Sequence, residues 1–186
     1  MYASKDGTTL IMHSQFEYRI AGPADVAECI EIRGVTRENA ISAERLASMG
    51  ITEASWSESV QDGSLPGVVC IFEGRIIGYC FGERHTGEIV VLALLPKHED
   101  KGIGRTLLSK VSSFLFGGGH RRLFLGCSAD PASRSFGFYR HLGWRPTGDF
   151  DANGDEILEF LLLVKRQICK SFFIDIVYRS YISFCN

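Results

Sequence analysis

Between Lys97 and Leu108 the sequence reads KHEDKGIGRTLL, with two glycines one residue apart just downstream of the apolar run EIVVLALL, Glu88–Leu95. A buried strand that turns through glycine into a helix leaves unpaired backbone N–H groups at the helix start, and such groups hold a phosphate or pyrophosphate. Gly102 and Gly104 permit special backbone angles and close approach of a ligand. Glu99 and Asp100 bring negative charge to the same turn, and Lys101 and Arg105 are the cations expected to offset it. Gly-x-Gly alone equally describes a glycine-tolerant helix start. The stretch is not a Walker A loop, and Leu107 stands where a dinucleotide fingerprint needs its third glycine.

The elements that would position this turn follow from periodicity. Phe16–Ile20 reads as a first strand, and Gly22-Pro23-Ala24-Asp25 turns into a helix that Asp25 caps or begins, continuing through Val26, Cys29, Ile30 and Arg33. Residues 35–62 read as broken helix with starts near Ser42 and Thr52. Thr52-Glu53-Ala54-Ser55 lacks glutamate at its fourth place, so no capping box is expected. GVVCIF and RIIGYCFGER form a hairpin about Glu73-Gly74. EIVVLALL, nearly continuous in apolar residues, reads as a strand covered on both faces. A helix is expected from about Gly102 to Phe116, with Leu107, Leu108, Val111, Phe114 and Leu115 on one stripe. Strand RLFLGC, a short helix over about Ala132–Leu142 and a last strand over Glu156–Val164 complete the plan. Alternation of this kind predicts an α/β fold, α+β by some schemes, with a mixed sheet flanked by helices.

Two motifs now stand in order. EIVVLALLPKHEDKGIGRTLLSKV resembles the acetyl-coenzyme A binding core of the GNAT superfamily of N-acetyltransferases. That family's pattern is Gln or Arg, two residues, Gly, one residue, then Gly or Ala, directly after its fourth strand. Gly102 and Gly104 match, whereas Glu99 departs from it. SFGFYRHLGW resembles the family's F-Y-x-x-x-G-[FW] helix through Phe138, Tyr139, Gly143 and Trp144. The resemblance implies an N-acetyltransferase domain over residues 15–164 with a largely antiparallel central sheet, a loose leader over 1–14 and an atypical extension over 165–186. That extension is rich in aromatic and β-branched residues; an added element, an oligomer contact and a non-native tail all remain open for it.

The resemblance also implies roles. Acetyl-coenzyme A would be the co-substrate, its pyrophosphate held by backbone N–H groups over Glu99, Asp100, Lys101, Gly102, Ile103, Gly104 and Arg105. The acetyl carbonyl would meet a main-chain N–H around Leu92, Ala93 and Leu94. Tyr139, beside Phe138, matches the tyrosine that protonates the departing thiolate, although it also fits an ordinary core position. Ser128 or Asp130 would replace an asparagine that touches the pantetheine, and Ser133 and Arg134 would serve the adenosine-side phosphates. Glu88 looks like the glutamate of histone-type members, where a carboxylate at the edge of an apolar strand accepts the amine proton through water. A solvated strand-start glutamate is the alternative, Glu83 is the second candidate, and His85 and His120 fit surface positions. Glu31 and the helices of 35–62 would wall the acceptor.

Composition narrows the partners. The 186 residues suit one domain, and their 45% hydrophobic content supplies a real core. A formal net charge of −2 argues against nucleic acid, which needs a basic surface to displace counterions. The six cysteines are scattered with no C-x-x-C, so reduced cysteines, no metal site and a cytoplasmic setting are expected. No apolar run is long enough to predict a membrane span; Asp175 and Arg179 interrupt the nearest one. The expectation is acetyl transfer to the primary amine of a small molecule, in a possible homodimer. Acetylation of a protein or peptide, and a non-catalytic acetyl-coenzyme A sensor or interaction module, are the alternatives.

Overall fold

Strand β1 (Glu17–Ile20) and the nearly continuous apolar runs β2 (Gly67–Phe72), β3 (Arg75–Gly82) and β4 (Ile89–Leu94) form an antiparallel sheet in that order. The computed structural model describes residues 16–162. The expected leader over 1–14 and extension over 165–186 lie outside the described residues, as does the end of the predicted last strand. Between β1 and β2 run a 3-10 turn, Pro23–Asp25, and helices α1 (Val26–Gly34), α2 (Ala43–Ser48) and α3 (Glu53–Gln61). After β4 come α4 (Ile103–Gly117), β5 (Arg122–Cys127), α5 (Arg134–His141), β6 (Arg145–Phe150) and β7 (Glu156–Leu161). The last three strands make a second antiparallel sheet ordered β5-β7-β6.

Two layers of core cover the first sheet. Val68, Cys70, Ile77, Cys80 and Ile89 face α4, whose Leu107, Leu108, Val111 and Leu115 are buried along the predicted stripe. Val69, Ile76, Tyr79, Phe81 and Ala93 face the other way, onto Val26, Cys29 and Ile32 of α1 and Trp56 of α3. Each fully covered leucine or valine here contributes about 1.5–3 kcal/mol of burial. One-residue slips in pairing, between Cys70 and Ile71 opposite β3 and between Phe81 and Gly82 opposite β4, change which face the following residues serve. The second slip leaves Val90 unpaired and 48% exposed, so β4 is not covered on both faces throughout.

Three local expectations change. Thr52 and Ser55 do form a reciprocal capping box, because the serine hydroxyl reaches back to the Thr52 N–H at 2.9 Å as a glutamate would. Asp25 turns its carboxylate back to Arg19 and the Gly22 N–H, closing the turn before α1 without capping that helix by its side chain. Strand β6, RPTGDF, was not expected. It pairs with β7 only at Arg145, Pro146 and Phe150, and its residues are mostly exposed, the pattern of a bulged edge strand that tolerates proline. The four cysteines among the described residues, Cys29, Cys70, Cys80 and Cys127, are buried and free.

The two sheets meet at one place. Glu88 forms an isolated parallel bridge with Phe124, and beyond it β4 and β5 have no ladder in common. β4 therefore leaves one edge open along its C-terminal half. Among the described residues no helix is long and apolar enough to cross a membrane.

Candidate active site

The open edge of β4 forms one wall of a cleft of about 810 Å³, within the range of small-molecule sites. Its lining includes Leu92, Ala93 and Leu94 from β4, the turn into α4, and Phe138 and Tyr139 from α5. The Leu95 N–H bonds to the Ile77 carbonyl, so the antiparallel alternation gives Ala93 and Val91 the bonds to β3. The amides of Leu92 and Leu94 then face the open edge. They are main-chain donors available to an inserted chain of amide and thioester groups.

At the end of β4 the backbone is shaped as a cradle. Asp100 and Gly102 both take positive φ, 61° and 77°, and Gly102 is the N-cap residue of α4. Aspartate tolerates that region through local hydrogen bonding, and glycine enters it without strain. The first amides of a 15-residue helix point into the turn with the positive end of its dipole behind them. A Cβ on Gly104 would lie 3.5 Å from Phe138 and 3.8 Å from Leu92, so the glycine keeps the floor open between those side chains.

The acids of this turn are neutralised, though not by the expected cations. Arg37, on the loop after α1, pairs with Glu99 at 2.9 Å. Arg134 pairs with Asp100 at 2.7 Å and with Glu99 at 3.4 Å. The Glu38 carboxylate accepts the Arg134 backbone N–H at 3.1 and 3.2 Å. Lys101 and Arg105 are exposed; Arg105 lines the cleft and Lys101 does not. His98 packs against the Phe16 and Phe72 rings, and among the described residues neither of its ring nitrogens has a hydrogen-bond partner.

Across the cleft, α5 is tied to β7 by the Arg140–Glu156 ion pair, and the Arg140 guanidinium stacks 3.7 Å over Phe136. This tie orients Tyr139, whose ring meets Phe138 and Trp144 edge-on at 5.1 and 6.1 Å. Burial, aided by the nearby Cys80 and Cys127 thiols, raises the Tyr139 pKa, and Arg33 opposes that shift. The phenol thus keeps its proton and is a hydrogen-bond donor.

Of the residues expected at the site, Leu92, Ala93, Leu94, Glu99, Asp100, Gly102, Ile103, Gly104, Arg105, Arg134, Phe138 and Tyr139 line this one cleft. Others do not. Ser133 caps α5 by accepting the Phe136 N–H, and Ser128 accepts the Asp130 N–H in the preceding turn, so both hydroxyls serve the local backbone. Glu31 faces a separate depression with Glu28, Glu73 and Arg75, because two residues along a helix from Arg33 is about 200° around its axis. Of the segment 35–62, Thr36, Arg37 and Glu38 reach the cleft, while α2 and α3 do not line it.

Glu88 lies at the vertex where the sheets join, outside the cleft lining. Burial, with Glu83 and Asp151 nearby, raises its pKa. Four residues of strand, about 13 Å at most, separate it from Leu92, so its carboxylate reaches an amine there only through water. Glu83 accepts the His85 and Thr86 N–H groups; these bonds outweigh its partial burial and hold its pKa low, which suits a turn residue better than a base. His120 binds the Arg84 carbonyl, and His85 is exposed. Arg33 lines the cleft without having been read as a site residue, whereas Arg37 and Glu38 belong to the segment expected to wall the acceptor; the run of charge RGVTRE was the available signal for Arg33.

Comparisons with known proteins bear on the fold and the family. The Acetyltransferase (GNAT) family matches residues 34–144. No curated protein matches the sequence at a significant level. Among solved structures, the PaiA N-acetyltransferase of Thermoplasma acidophilum, in complex with coenzyme A, superposes with a TM-score of 0.66 at 21% identity, over 79% of this chain and 99% of that one. YncA of Salmonella typhimurium, a putative acetyltransferase solved with acetyl-CoA, gives 0.62 at 20% identity, over 80% and 95%. A phosphinothricin acetyltransferase of Sinorhizobium meliloti, solved with AcCoA, gives 0.60 at 24% identity, over 80% and 89%. With a family match across more than half of its length, this chain belongs to the GNAT family of acetyltransferases.

Proposed function

We propose that the protein transfers the acetyl group of acetyl-coenzyme A to the primary amine of a small molecule by direct attack. One observation carries the reading: the open edge of β4 runs into the anion cradle of α4, with Tyr139 lining the same cleft. The cradle amides from Gly102 onward receive the pyrophosphate, and the Leu92 and Leu94 amides align the pantetheine and thioester. The neutral amine attacks the thioester carbon, a C–N bond forms, and a strand amide stabilises the oxyanion. The C–S bond then breaks and the thiolate takes the Tyr139 proton, while the proton shed by the amine leaves through water toward Glu88.

A solved neighbour is named as a phosphinothricin acetyltransferase, and phosphinothricin is itself a small amine, which supports a small acceptor. The test is incubation with acetyl-coenzyme A and a panel of polyamines, aminoglycosides, amino acids and peptides, following release of the free thiol. Transfer to a small amine supports the proposal. Transfer confined to peptides would move the assignment to protein acetylation. Tight acetyl-coenzyme A binding with no transfer to any amine would make this a binding module.

A further inference from the structure

We propose that the acceptor amine also carries a compact anionic group, of the carboxylate kind found in an amino acid, and that Arg33 receives that group. The inference rests on the acetyl-transfer reading above and concerns the end of the cleft where the thioester would lie.

The charges of the cleft are segregated along its length. At the phosphate end Arg37 and Arg134 are engaged by Glu99 and Asp100, and Glu38 is engaged by the Arg134 N–H. No carboxylate is left over there to attract a polycation. Arg33 is differently placed. It lines the cleft from the last turn of α1, is partly buried, and forms no ion pair with a carboxylate among the described residues. Its guanidinium donates to the Asn39 carbonyl, which leaves further N–H donors over. The other arginines without a carboxylate partner among the described residues, Arg45, Arg84, Arg105, Arg121 and Arg145, are exposed to water.

The surroundings of Arg33 locate it at the reacting end. It lines the same cleft as Tyr139 and the Leu92–Leu94 edge of β4, and lies near the Tyr79 phenol. Tyr139 is the proton donor assigned above. Tyr79 is fully buried on β3 opposite Ala93, and among the described residues its hydroxyl has no hydrogen-bond partner. Burial lowers the Arg33 pKa, the sign of a cation short of compensation. A guanidinium keeps its proton, and the N–H donors left over beside the Asn39 carbonyl bond can take a bound anion. The same cation repels a polyamine. It also depresses the pKa of an amine held beside it, favouring the neutral form that attacks.

The test uses matched acceptors with the full chain: L-phenylalanine, L-phenylalanine methyl ester and phenethylamine, with L-leucine and isoamylamine as a second set. Rates of thiol release are measured with acetyl-coenzyme A, for wild type, Arg33→Gln and Arg33→Lys. Calorimetry with the same compounds on the coenzyme A-loaded protein supplies a readout independent of turnover. The free amino acids are expected to exceed their uncharged-carboxyl partners in kcat/KM by about ten- to a hundredfold, the worth of a charge-assisted hydrogen bond. Arg33→Gln should abolish that preference with acetyl-coenzyme A affinity unchanged, and Arg33→Lys should keep part of it. Equal or better use of the descarboxy amines by wild type would overturn the proposal. So would an Arg33→Gln variant that loses acetyl-coenzyme A affinity instead of acceptor preference. If no amine is acetylated, the transfer reading fails; calorimetry then decides separately whether Arg33 holds a carboxylate.

Discussion

Glu99 of the phosphate turn and Arg37 of the loop after α1 are joined by a 2.9 Å ion pair, with Arg134 reaching the same carboxylate oxygen at 3.4 Å. The pair ties the loop after α1 to the segment that cradles phosphate. It explains how an acidic residue is tolerated where the family has Gln or Arg: its charge is already spent on two arginines. Replacing Glu99 by glutamine frees both guanidinium groups and removes a negative charge from the cradle. Because Arg37 is largely exposed, the gain is modest, and acetyl-coenzyme A affinity should rise about two- to fivefold. Titration at low and high salt checks this; the gain should shrink as salt screens it. Unchanged or weaker affinity would mean that the ion pair itself holds the cradle in shape.

Tyr139→Phe separates proton donation from packing. The Tyr139 ring contacts with Phe138 and Trp144 do not need the hydroxyl, so the fold and the cofactor wall should survive the change. Turnover should fall by about a hundredfold, the usual worth of a positioned general acid, with acetyl-coenzyme A affinity within about twofold. Undiminished turnover would return Tyr139 to the ordinary core.

Much of this was legible in the sequence because it depends on short-range pattern. The strand into Gly102 and Gly104, the α4 stripe and the aromatic helix carrying Tyr139 each signal themselves through local periodicity. What was not legible depends on partners distant in sequence. Nothing near Glu99 reveals that Arg37, 62 residues away, neutralises it. Strand β6 has an edge composition, and only its pairing with β7 identifies it. Glu31 and Arg33 lie two residues apart and differ only in helical phase, which fixes one on the cleft and the other on a separate depression.

Glu88 makes a prediction in pH. Its pKa is raised by burial and by the neighbouring Glu83 and Asp151, so the carboxylate becomes a competent base only above the ordinary glutamate range. If it takes the amine proton through water, kcat/KM should climb with pH through that raised value. Glu88→Gln should lower the plateau and remove this acid limb. The limb produced by deprotonation of the free amine should remain. A variant with the full profile of wild type would show that solvent alone accepts the proton.

His98 makes the last prediction, on stability. Burial against Phe16 and Phe72 lowers its pKa, the charges of Lys101 and Lys97 add to this, and Glu73 opposes it only in part. The folded protein therefore favours the neutral ring, whereas the unfolded chain protonates near pH 6.5. Between the two values the unfolded state binds more protons, so stability is full above the unfolded pKa and declines as pH falls toward the folded one. Melting temperatures at pH 7.5 and 5.5 should differ more in wild type than in His98→Leu, which keeps an apolar side chain between the two rings and has nothing to protonate. An equal drop in both proteins would mean that the ring reaches water before it takes a proton, and would place the acid sensitivity of the fold elsewhere.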